Sequence, residues 1–192
     1  MNMATDDANL LARFIATFAQ LDELLWFDDG SPPPEMVVTV RDSNSSSLPR
    51  WQPAKQCVPR SALSEIQRIG PLPDLFESLA LSYCWLDVDL SICRLIANPP
   101  TGDLKTLADS MYGDIVMNNT LLPANFVRFA LAPNECYDPI CFDVSRMVDG
   151  DCPVVRMNHE SILSNDEIGE VTTVFDSFRS LVVAVIESTG KH

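Results

Sequence analysis

Between Phe126 and Met157 the chain carries three strand-like runs in close succession: Phe126–Leu131, Pro139–Val144 and Pro153–Met157. Each is rich in β-branched and aromatic residues, which fit a pleated, half-buried surface. Asp149-Gly150 lies between the last two, and that dipeptide accepts the positive φ angles of a tight turn. Strands joined by connections this short pair antiparallel, because a parallel crossover needs a dozen or more residues. This stretch predicts an antiparallel sheet.

Apolar spacing sets the rest. Over residues 5–26, Leu10, Leu11, Phe14, Ile15, Phe18, Leu21 and Leu25 form one helical face, with Thr5, Asp6 and Asp7 available as caps. Asp28 to Pro34 ends that helix, since three successive prolines donate no backbone hydrogen bonds. Met36–Val40 reads as a short strand, and Arg41–Pro59, with its Ser-Asn-Ser-Ser-Ser run and prolines, as an exposed loop. From Leu72, with Pro73 in a first turn, Leu75, Phe76, Leu79 and Ala80 predict a helix toward Tyr83. Trp85–Leu90 alternates as a strand, Ile92–Ala97 is strand-like, and Asn98–Gly102 closes the pair as a turn. Asp103–Tyr112 and Val171–Glu187 predict two further helices, the latter through Val174, Phe175, Phe178, Leu181, Val182 and Val185. This order predicts the α+β class: a twisted, largely antiparallel or mixed sheet with helices on one face and at its ends. Residues 1–60 are expected as an amino-terminal segment packed on or appended to a main domain of residues 61–192.

Charge narrows the partners. Across 192 residues, 13 Lys and Arg stand against 27 Asp and Glu, a net charge of −14. Phosphate backbones need clustered cations, and anionic membranes repel such a surface, so neither nucleic acid nor membrane is an expected partner. The longest aliphatic run, Leu181–Ile186, falls far short of the about 20 residues a spanning helix needs. The start, Met-Asn-Met-Ala-Thr-Asp-Asp, carries acid where a secretory signal carries positive charge, so a cytoplasmic location with free thiols is expected.

Enzymatic constellations are poorly supported. The histidines are His159 and His192; neither a Gly-x-Ser-x-Gly elbow nor a phosphate-binding glycine loop occurs. Cys136, Cys141, Cys152 and His159 have zinc-ligand chemistry but lack a tight Cys-x2-Cys pair, and Cys141 lies in an apolar run, where cysteine behaves as a small hydrophobe. Neither a metal nor a cofactor is therefore expected. Asp87 and Asp89, two apart on a strand, share a face; such a pair can hold a divalent cation for catalysis or form the wet side of a half-exposed strand. Acid is densest over residues 135–176, where ten Asp and Glu meet two Arg. Shared on one face, they would form a field that speeds encounter with a basic partner. Asp87, Asp89, Asp149 and Asp151 are the candidate partner-binding acids. The alternatives are a metal-dependent enzyme using Asp87 and Asp89, or a scaffold whose amino-terminal helix docks another protein or a second copy as a homodimer.

Leu72-Pro73-Asp74-Leu75-Phe76, Phe126-Val127-Arg128-Phe129-Ala130, Tyr137-Asp138-Pro139-Ile140-Cys141-Phe142-Asp143, Pro153 through Glu160, and Ser177-Phe178 resemble the SUKH superfamily, which includes bacterial immunity proteins and yeast cell-wall synthesis regulators. The resemblance covers about residues 70–188. It implies a non-catalytic α+β domain that binds a toxin, such as a basic nuclease, and occludes its active site. Within these motifs, Tyr137, Phe142 and Phe129 are expected in the core, and Asp138, Asp143 and His159 at turns and strand ends.

Overall fold

A computed structural model describes residues 3–18, 36–39, 50–133 and 137–189. In chain order the elements are α1 (Met3–Phe18), β1 (Val37–Thr39), β2 (Arg50–Trp51), β3 (Ala54–Lys55), α2 (Asp74–Ser82), β4 (Tyr83–Cys84), β5 (Val88–Asp89), β6 (Arg94–Leu95), α3 (Lys105–Tyr112), α4 (Ile115–Leu121), β7 (Phe126–Leu131), β8 (Pro139–Asp143), β9 (Val154–Met157), α5 (His159–Asn165), β10 (Val171–Phe175) and α6 (Phe178–Thr189). Six of the strands form one antiparallel sheet, in the order β10-β9-β8-β7-β6-β5. β1 pairs with β2 and β3 with β4 in two short ribbons. The fold is α+β.

Register explains the core. Val127 pairs with Phe142, and Phe142 with Val154, so these side chains share one face. A bulge between Arg128 and Ala130 makes Phe129 the extra residue of β7, and both Phe129 and Ala130 are buried. Phe129 stacks on Phe142 with centroids 4.0 Å apart, and Phe76 of α2 and Phe178 of α6 meet that stack edge-on at 5.0–5.9 Å. Offset and edge-on ring contacts add about 0.5–1.5 kcal/mol per pair beyond burial. Leu11, Phe14 and Phe18 of α1 join this same core, as do Leu181, Val182 and Val185 of α6.

The opposite face is covered too. Cys141, Val155 and Met157 form a second cluster with Met117 and Leu121 of α4 and Ile162 of α5. Where helices were expected on one face and at the ends, α4 and α5 thus also shield the other face over β8 and β9. Both are only seven residues long, and each starts on a side-chain cap: Asp114 accepts from the Met117 amide and Asn158 from the Ser161 amide.

The carboxy-terminal reading needs correcting. Val171–Phe175 is the edge strand β10, and the helix begins only at Phe178. Two adjacent threonines favour extended backbone, and Asp176-Ser177 then interrupts it; the Ser177 hydroxyl accepts the Ser180 amide as the cap of α6. At the other end, α1 starts at Met3, so Asp6 lies in its first turn rather than before it. The expected continuation through Leu21 and Leu25, the proline stop, Val40 and the serine-rich part of the loop lie outside the described residues. Trp85–Leu90 forms less strand than its alternation suggests: Val88–Asp89 pairs in β5, while Trp85 makes an isolated bridge to Asn98.

Candidate functional site

Asp89 in β5 and Asp87 just before it are exposed. Asp87 accepts the Ala97 amide at 2.9 Å, and Asp89 accepts the Ser91 amide at 2.8 Å across a turn in which Ser91 adopts φ 65°. Both are exposed two residues apart; Asp89 ties a local turn, while Asp87 reaches across to the segment after β6.

Asp149 and Asp151 lie on the connection from β8 to β9. Val148 and Asp151 exchange both backbone hydrogen bonds, and Asp149 and Gly150 take φ 50° and 75°, the two left-handed positions of a two-residue turn. Asp149 is exposed there. Asp151 reaches instead to α6, accepting the Phe178 amide at 2.9 Å and the Arg179 amide at 3.2 Å while also holding its own neighbour Cys152 at 2.8 Å. It caps the last helix from a distant loop. β5 stands three strands from β8, about 14 Å at the usual strand spacing, so the four acids form two separate pairs.

Asp138 and Asp143 are buried. The Asp138 carboxylate accepts the Arg156 guanidinium, the His159 amide at 3.0 Å and the His159 ring at Nδ1, 2.7 Å away. One side chain thereby ties the start of β8 to β9 and to the first turn of α5. Asp143 accepts the Ser145 hydroxyl and the Arg146 Nε, each at 2.6 Å. Both acids fix turns and strand ends, as does His159. An oriented imidazole of this sort serves general-base catalysis when a nucleophile meets its second nitrogen; among the described residues no hydroxyl or thiol is hydrogen-bonded to it.

Of the aromatics expected in the core, Phe129 and Phe142 are buried, but Tyr137 is 63% exposed. It precedes β8 in the loop, where strand alternation no longer dictates direction, and its ring stands edge-on to His159.

A cavity of about 280 Å³ opens near the same end of the sheet, lined by Ile92, Cys93, Ile140, Arg156, Phe175 and Leu181 among others. Its walls are mainly apolar, and its guanidinium is already bound to Asp138. Burial pushes the Cys93 thiol up to about 12, leaving it protonated and a poor nucleophile. Cys141 is buried in β8 with its thiol raised further still by desolvation. Among the described residues, no group of three or more His, Cys, Asp or Glu is placed to hold a metal ion; Cys136 lies outside them.

The acid-rich stretch read from the sequence gathers on a surface beyond the four candidate acids. Along α5, the turn after it and β10, the acids Glu160, Asp166, Glu167, Glu170 and Asp176 are exposed, interleaved with exposed Leu163, Val171 and Val174. The charge density over residues 135–176 was a signal for it, but only the correct assignment of β10 as a strand turns that density into a surface. No helix among the described residues is long and apolar enough to cross a membrane. Compared with protein-family models the chain matches none, and no curated protein matches it.

Proposed function

We propose that this chain is a cytoplasmic, non-catalytic protein-binding domain, an immunity protein of the SUKH kind that neutralises a basic, nuclease-type toxin by covering its active site. The observation that carries the reading is the α5–β10 surface, where exposed carboxylates alternate with exposed aliphatic side chains on a sheet edge beside β9 and α5, which Asp138 ties together. Carboxylates in that arrangement draw in a cationic partner, and the aliphatic groups contribute once water is excluded. Asp149, also exposed, adds to the same field. Covering about 800 Å² on each partner is enough for a specific complex.

The test is co-expression in a bacterial host with the basic carboxy-terminal domain of a toxin encoded by the adjoining reading frame. The expected outcome is relief of growth arrest and a 1:1 complex in sedimentation. Reversing three acids together, Glu167→Lys, Glu170→Lys and Asp176→Lys, is expected to weaken the complex by about tenfold or more, as loss of complementary charge does. Unrelieved arrest, or a complex indifferent to those reversals and to salt, would overturn the proposal.

A further inference from the structure

We infer that the partner docks by strand addition: an extended, uncharged segment flanked by Lys or Arg pairs with the open edge of β10. The inference rests on the reading of the chain as a binder of a basic protein, and adds where and how that protein is held.

The six-stranded sheet has two edges, β5 and β10. β5 is two residues long and carries the exposed carboxylate of Asp89, the short and charged kind of edge that resists pairing. β10 differs in every respect. It is the run Val-Thr-Thr-Val-Phe, uncharged and free of proline, with Val171 39% and Val174 37% exposed and both threonines exposed between them. Among the described residues no strand lies on its outer side. Alternate N–H and C=O groups of an edge strand point away from its neighbour, so β10 presents unpaired donors and acceptors in strand register. A bulge falls between Thr173 and Phe175, which leaves Val171–Thr173 as the regular part of the edge.

Charge selects the occupant. Pairing of β10 with its own copy, antiparallel about Thr173, would set Glu170 opposite Asp176 twice, and like charges facing across strands destabilise. A foreign strand with cations about six positions apart converts both repulsions into attractions at the usual rise per residue. Main-chain bonds then provide affinity, and flanking cations the specificity.

The test uses a synthetic peptide, Lys-Lys-Val-Thr-Val-Thr-Val-Lys-Lys, with amide hydrogen exchange of the full-length protein as the readout. Saturating peptide is expected to slow exchange at the outward-facing amides of Val171–Val174 by about tenfold or more. Proline in the middle of the peptide is expected to abolish that protection, since it removes a donor and cannot extend a ladder. On the protein, Thr172→Pro and Thr173→Pro form a matched pair, because adjacent amides of a strand point in opposite directions. The variant that keeps its melting temperature is expected to lose peptide affinity by about tenfold, and the other to lose stability by breaking the ladder with β9. Peptide binding without protection, or unchanged affinity in the stable variant, overturns strand addition while leaving the basic-partner reading intact. Failure of the peptide when the toxin domain still forms its complex does the same; failure of both removes the reading as well. Doubling of mass in the free protein with these amides protected would show that a second copy is the occupant.

Discussion

Asp138 shows how one buried carboxylate organises its surroundings. Removing its charge while keeping its shape, as in Asp138→Asn, takes away the carboxylate that the Arg156 guanidinium, the His159 amide and the His159 ring share, and is expected to cost about 2–4 kcal/mol in urea denaturation. A loss below about 0.5 kcal/mol, the level of an ordinary surface change, would show the cluster to be incidental. The buried thiols give a second expectation. Burial raises Cys93 and Cys152 from 9.0 to about 12, and Tyr112, whose hydroxyl donates to the Ile66 carbonyl, from 10.0 to about 12. Above pH 9 the unfolded chain releases protons that the native state keeps, so stability is complete below that pH and falls as pH rises toward 12. Denaturation midpoints should hold up to about pH 8.5 and decline through about pH 10.5; a flat profile would count against buried, protonated groups. In thiol titration of the native protein, exposed Cys57 should react at once and Cys93 only on unfolding. At this scale the sequence was informative where chemistry is local: Asp138, Asp143 and His159 were expected at turns and strand ends. It misplaced Tyr137, which was expected in the core: the residue precedes Pro139, where β8 begins, so strand alternation does not reach it.

The element most dependent on a distant residue is α6. Its first amides are satisfied by Ser177 next door and by Asp151, which arrives from the turn between β8 and β9. Asp151→Ala should therefore loosen the helix start and cost about 0.5–2 kcal/mol, detectable as a lowered melting temperature with helix content retained. Gly150→Ala should cost as much or more. A β-carbon there would lie 2.3 Å from the Asp74 carboxylate, and φ 75° is strained for any residue with a side chain. Among the elements, β7, β8 and β9 were legible within a residue, because turn chemistry and apolar runs agree along them. β10 was not: Val174 and Phe175 also fit a helical spacing with Phe178 and Leu181, and only the paired threonines argued for extension. α4 and α5 are too short to show a period, though their caps Asp114 and Asn158 were readable signs of helix starts.

For the molecule as a whole, the amino-terminal helix belongs to the core rather than to a free docking arm. Its Leu11, Phe14 and Phe18 are buried in the same cluster as α6, and Asp7 pairs with Arg179. Deleting residues 1–18 should uncover that face and cost about 5 kcal/mol or more, at about 1.5–3 kcal/mol for each large side chain. Unfolding or aggregation, seen by calorimetry and sedimentation, is the expected outcome; an intact monomer of unchanged melting temperature would overturn this. The α+β architecture followed from the order of sequence signals, whereas the α5–β10 surface did not, since an acidic stretch becomes a face only when tertiary pairing is known. Trp85 is fully buried, its indole N–H donating to the Ile96 carbonyl, and it leads into β5 at the far end of the sheet from β10. Its share of the fluorescence will therefore report melting of the interior and stay dark to a ligand seated on the opposite margin, so Trp85 would go on glowing unchanged even as the complex saturates.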